Sequence, residues 1–290
     1  MTSVAGELRV LQPGDEPELF AFLVPYIDSS LFFFSNVEKA GLEYRGEPLQ
    51  GTYVARCNPA GAITAVASHS WNGNVMVQGD DGLEQAARHA VAVSGRAVRG
   101  IIGPWSLACR VRTALGLDET RAAHDGRELL FALGLDDLKL PELLSRADVA
   151  LRPPTATEAT ELLGGWRADY HIESLGAART PELEKAAREQ VVDWRSAGTL
   201  WVLTVNQEVV AMTGFNAETR GIVQIGGVFT PPALRGRGYA RSAVAATLQL
   251  AQAGGATRSI LFTAEVNLAA CHAYAALGYR VVSDFGLLLF

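Results

Sequence analysis

Arg235-Gly236-Arg237-Gly238-Tyr239-Ala240 stands between two runs of opposite character. Before it, Ile222 to Thr230 reads as a strand stopped by Pro231-Pro232; after it, the Ala-rich run from Tyr239 to Ala253 reads as a helix closed by Gly254-Gly255. Glycines at such a junction let the backbone take positive φ and approach a ligand closely. Successive amides and the positive end of the helix dipole can then converge on one anion. Arg235 and Arg237 would add charge. Taken alone, the stretch reads equally as a tight turn with two solvated arginines.

Outward from it, Ser259 to Glu265 reads as a strand, Asn267 as the cap of a helix from Leu268 to Leu277 that contains Tyr274, and Tyr279 to Phe290 as closing strand material. On the amino-terminal side, Thr199 to Val205 and Val209 to Phe215 read as an antiparallel pair around the polar turn Asn206-Gln207-Glu208. Gly226-Gly227 inside a strand pattern predicts a bulge, which splays one strand from its neighbour and leaves amides unpaired. The class expected is α+β (mixed α/β), with a mixed, mostly antiparallel twisted sheet flanked by helices.

The chain also repeats itself. Leu8-Arg9-Val10-Leu11 before Pro13 matches Val149-Ala150-Leu151-Arg152 before Pro153, and Gly51-Thr52-Tyr53-Val54 lies on Gly198-Thr199-Leu200-Trp201 at an offset of 147. Further on, Cys109 to Leu117 lies on Cys271 to Tyr279 at an offset of 162, so the second half carries an insert of about fifteen residues near Phe229 to Ala243. That insert is the glycine-rich turn itself. A composition break at Ala150 to Thr157, after a helix-like Leu138 to Ala147, sets the expected domains at residues 1–148 and 149–290.

The order Arg-x-x-Gly-x-Ala, strand, Asn267, Tyr274 and Leu277-Gly278-Tyr279 resembles the GCN5-related N-acetyltransferase (GNAT) family from about Leu151 to Phe290. The resemblance implies two acyl-CoA N-acyltransferase-like domains, the second catalytic and the first a degenerate copy that shapes the substrate cleft. It also implies that Arg235, Gly236, Arg237, Gly238, Tyr239 and Ala240 bind the pyrophosphate of acetyl-CoA (coenzyme A). Val228, Phe229 and Thr230 would bond its pantetheine arm, and Tyr274 would stand by the thioester sulfur as the acid. Asn267 would cap its helix and touch the cofactor. Many family members place a Glu base on the strand before the loop, but Ile222-Val223-Gln224-Ile225-Gly226 has none; Glu265 is the nearest candidate, beside a water relay to a more distant group. Trp166, Tyr170 and Glu173, with Asp169 and His171, are expected to form an aromatic and acidic wall for an ammonium group, or else to pack as an ordinary amphipathic helix. In the first half Arg112 falls where Tyr274 stands and Trp105 where Asn267 stands.

The activity implied is acetyl transfer to a primary amine, on a small molecule or a peptide, by direct attack in a ternary complex. The rival reading is a non-catalytic acyl-CoA-binding module. A tandem chain of this size is also similar to mycothiol synthases. The composition agrees with a folded chain: 290 residues, 49% hydrophobic and 19% charged, exclude disorder and a mini-protein, and two domains of about 150 residues are expected. No apolar run reaches the ~18 residues of a bilayer helix, and Pro13, Asp15, Glu16 and Pro17 interrupt the start, so a cytoplasmic protein without a membrane partner is expected. A formal charge of −6 without a basic stretch argues against nucleic acid. Cys57, Cys109 and Cys271 have neither disulfide nor metal-ligand spacing and are expected as reduced, buried thiols.

Overall fold

The computed structural model describes residues 7–117 and 124–290. Two compact units emerge: Met1–Leu130 with Ser283–Phe290, and Phe131–Val282. The first contains β1 (Glu7–Val10), α1 (Glu16–Leu23), α2 (Ile27–Ala40), β2 (Gly51–Cys57), β3 (Ile63–Ser70), β4 (Asn74–Gly79), α3 (Leu83–Ser94), β5 (Gly100–Pro104) and α4 (Trp105–Ala114), and then the start of β6 (His124–Gly134). The second contains β7 (Val149–Arg152), α5 (Gly164–Leu175), α6 (Pro181–Ser196), β8 (Leu200–Val205), β9 (Glu208–Thr219), β10 (Ile222–Phe229), α7 (Tyr239–Ala253), β11 (Arg258–Ala264) and α8 (Leu268–Leu277); β12 (Arg280–Leu289) follows.

The repeat read from the sequence is a repeat of elements. In the first unit the strands run β1-β2-β3-β4-β5-β12, with β4 and β5 parallel and β1–β2, β2–β3, β3–β4 and β5–β12 antiparallel. In the second they run β6-β11-β10-β9-β8-β7, and the parallel pair is β10 with β11. Each unit is therefore a mixed, mostly antiparallel sheet with helices on it, as expected.

The unit limits differ from a cut at residue 148. β12 pairs antiparallel with β5, Phe285 opposite Pro104 and Leu289 opposite Gly100, and fully buried Leu288 joins Val75, Val77 and Ile101 in the first unit's core. Leu138 to Ala147 is not a helix: only the 3-10 turn Glu142–Ser145 forms, because Pro141 lacks an amide and biases Leu140 away from helical φ/ψ. Contrary to the expectation that no run is long enough, the helical stretch from Glu16 to Ala40 is, by length and composition, long and apolar enough to cross a membrane. A 3-10 turn at Val24–Tyr26 interrupts it, and Leu19, Leu23, Phe33, Phe34 and Val37 are buried in a core with Tyr53 and Val66. Among the described residues none of the three cysteines forms a disulfide; Cys57 is buried, Cys109 and Cys271 half-buried.

The hairpin β8–β9 turns through Asn206 and Gln207, both at positive φ (50° and 69°), the twist that two-residue hairpin loops favour. It delivers β9 alongside β10, and β10 carries the second unit's candidate chemistry.

Candidate active site

β10 is bulged. Gln224 faces Ala217 but Ile225 faces Phe215, and Gly226 faces Gly214 while Phe229 faces Met212, so the register slips twice within six residues. Gly227 sits in the left-handed region at φ 61°. On its other side, the parallel ladder to β11 holds only from Ile222–Arg258 to Gln224–Ile260, although β10 continues to Phe229 and β11 to Ala264. Past Gln224 the two strands part, and the backbone of Ile225 to Phe229 has no ladder partner on that side. The expected splay is present.

The chain leaving β10 turns through Pro232–Leu234 and reaches α7 over Gly236 and Gly238, at φ 77° and 79°. A Cβ added at Gly236 would meet nothing within 4 Å. Gly238 is the N-cap, no side chain caps the helix, and its first turn carries no acid. An uncapped helix start leaves amides without intrahelical acceptors. Next to them, Arg241 Nε and Ser242 Oγ are buried without hydrogen-bond partners. Arg235 is less free than its sequence position suggests: Nε donates to Thr230 O at 2.9 Å and Nη2 pairs with Glu173 Oε2 at 2.6 Å. The equivalent turn of the first unit is built differently. Between β4 and α3 stand Asp80, Asp81 and Gly82, the Arg56 side chain fills the space a Cβ of Gly82 would take, and Arg110 pairs with Asp80 and Glu84.

Tyr274 lies on α8, buried, with its ring edge-on to Phe131 and Tyr279, each 6.0 Å between centroids. Burial, with smaller contributions from Tyr170 and Cys271, pushes its phenol well above the ordinary tyrosine value, so it holds its proton at neutral pH. Asn267 caps α8, its Oδ1 accepting from Ala270 N at 3.2 Å. Glu265 is exposed, one residue past β11. In the first unit Arg112, which the sequence repeat sets opposite Tyr274, lies on α4 and pairs with Asp125 at 2.9 Å.

The α5 residues expected in the wall differ in their surroundings. Thr155 and Glu158 make reciprocal bonds, Thr155 N to Glu158 Oε2 at 2.7 Å and Glu158 N to Thr155 Oγ1 at 3.2 Å, that set the entry to this helical segment. Trp166 is 8% exposed and packs against Phe229 in the core. Both acids are already paired: Asp169 with Arg179 and Glu173 with Arg235. What the expected acidic wall offers an ammonium group is therefore largely neutralised, for a simple reason: arginines 10 and 62 residues away in sequence reach it. Tyr170 differs, lying within electrostatic reach of Tyr274.

Residues 166–279 match the model of the acetyltransferase (GNAT) family. They form a GNAT domain. Among curated proteins no sequence match is found. Solved structures extend the likeness to nearly the whole chain. A Drosophila protein aligns over 98% of this chain and 99% of its own at 13% identity and TM-score 0.68. A GCN5-related N-acetyltransferase from Sphaerobacter thermophilus covers 98% and 95% at 16% identity and TM-score 0.58. A tandem GNAT protein from the clavulanic acid biosynthesis pathway covers 97% of each chain at 11% identity and TM-score 0.54. At such identities the likeness is one of fold.

Three residues of this GNAT domain escaped the sequence. Asn216, the extra residue in β9, lies over Gly226 where a Cβ would stand. Trp194, on α6, lies on Gly227, 2.7 Å from a built Cβ. Arg167 lies over the rings of Trp194 and Tyr170. Only the bare Gly226-Gly227 pair hinted at them, since a glycine pair in a strand invites bulky neighbours.

Proposed function

We propose that this chain is an acetyl-CoA-dependent N-acetyltransferase acting on a primary amine, with the reaction carried by the second unit. The observation that carries the reading is the parting of β10 from β11 after Gln224–Ile260, at the end of a strand whose Thr230 carbonyl is tied to the loop leading to α7. The α7 start suits a diphosphate: it is uncapped and free of acids, with the orphaned donors Arg241 Nε and Ser242 Oγ beside it and open space at Gly236. Arg235 to Ala240 would hold that group, and the edge from Val228 to Thr230, where the Thr230 carbonyl accepts from Arg235, would take an extended amide-bearing arm like an added strand through the open backbone of Val228 and Phe229. Acetyl-CoA, when bound, supplies an activated acyl group and leaves as a thiol.

The remaining work falls to this chain's side chains. Unpaired amides at the bulge are donors for a developing oxyanion. Tyr274 keeps a proton on Oη for a departing thiolate. Glu265, exposed and one residue past β11, takes the amine's proton directly or through water. In the first unit the acidic turn at Asp80 and Asp81 and the Arg112–Asp125 pair leave neither an anion cradle nor a phenolic acid, which suits a structural role.

The test is release of free thiol from acetyl-CoA with a panel of amines, alongside calorimetry with coenzyme A. Binding with amine-dependent thiol release supports the reading. Binding without release for any amine supports the non-catalytic alternative, which the lack of a carboxylate on β10 favours.

A further inference from the structure

Arg167 is a buried cation without a counter-ion. It is 8% exposed, its Nε donates to Gln190 Oε1 at 2.7 Å, and among the described residues it enters no ion pair. Other arginines of the second unit behave otherwise: Arg152, Arg179 and Arg235 each hold a carboxylate. A guanidinium taken out of water without an anion is among the least favourable side-chain arrangements, and a protein retains one readily where an anion arrives later.

Its position says where that anion would come from. The guanidinium carbon lies 4.8 Å from the ring centre of Trp194, and that ring rests on Gly227 at the bulge. It lies 4.6 Å from the ring centre of Tyr170, which is within electrostatic reach of Tyr274. Arg167 is thus one aromatic ring away from each of the two groups to which the proposed reaction assigns the oxyanion and the proton. The nearby His171 is held neutral, its pKa lowered to about 4 by burial first and by the Arg167 charge second, so it brings no competing positive charge at neutral pH.

We propose that Arg167 anchors a carboxylate of the acceptor, so that the substrates are amino acids in the broad sense, primary amines carrying a carboxylate. This rests on the N-acetyltransferase reading and adds its substrate class. A planar, singly charged carboxylate matches one guanidinium in shape and charge; a phosphate dianion would leave a buried negative charge unmatched.

The experiment compares amino acids with their own carboxamides as acceptors, scored by kcat/KM for thiol release, with coenzyme A calorimetry on the same preparations. The wild-type protein is expected to favour the acid by about 100-fold, the scale at which leaving one partner of a buried charge pair unmatched is felt. Arg167→Gln should reduce that preference to within about 3-fold while leaving coenzyme A affinity unchanged, and Arg167→Lys should keep part of it. Equal use of acid and amide by the wild-type protein, a comparison that needs no variant, overturns the assignment, as does a preference that survives Arg167→Gln. If calorimetry detects no coenzyme A binding at all, it is the acetyltransferase reading that fails.

Discussion

At Gly227 two constraints coincide, a φ of 61° and the Trp194 ring 2.7 Å from where a Cβ would stand. Gly227→Ala should therefore cost about 1–3 kcal/mol, read as a fall in the denaturation midpoint, because a left-handed alanine is strained and the indole must also move. An unchanged midpoint would mean the bulge is looser than its geometry implies. Tyr274→Phe keeps the ring packing on Phe131 and Tyr279 and removes the hydroxyl that carries the proton, so kcat should drop by about 100-fold or more while coenzyme A affinity changes little. Since burial raises the phenol's pKa, ionisation of Tyr274 should not limit kcat below the ordinary tyrosine value of about 10. Both residues were legible in the sequence, the glycine from its neighbour Gly226 and the tyrosine from its order after the loop. Arg167 and Trp194 were not, because they meet across two helices at a separation of 27 residues that no local pattern records.

Among the elements, the two helices around the proposed site begin in opposite ways, α7 uncapped and α8 capped by Asn267. Asn267→Ala should destabilise the protein by about 1 kcal/mol, the usual worth of an N-cap. Coenzyme A affinity measured on that variant decides between its two expected roles: a loss of several-fold shows contact with the ligand, and no loss leaves only the cap. Stability of the α5–α6 pair should depend on His171. Its folded pKa of about 4 lies below the ordinary histidine value of about 6.5, so the unfolded chain binds the extra proton first. The stabilisation is complete above about pH 6.5 and is lost as pH falls toward 4. His171→Gln should flatten the fall in melting temperature across that window, and an unaltered slope would assign it to other groups. Strands and helices of the second unit were readable to within a residue or so at most ends because glycine and proline punctuate them. Leu138 to Ala147 misled because its apolar content outweighed the single Pro141.

Across the whole chain, the sequence shows two copies but not which strand completes which sheet. The reading at residue 148 assigns β12 to the second copy by order, whereas Phe285 to Leu289 pair with β5 and Leu288 lies in the first unit's core. Strand partnership is set by pairing across more than 180 residues, and periodicity is silent on it. Deleting residues 283–290 should accordingly expose the amides of β5, seen as faster hydrogen exchange from Gly100 to Ile102; protection equal to the intact chain would contradict the pairing. The two copies also differ where it matters for an anion, Asp80 and Asp81 against Arg235 and Arg237. Calorimetric titration of the intact protein with coenzyme A tests that difference most directly. One binding site per chain is the predicted result, and either two equivalent sites or no heat of binding would contradict it.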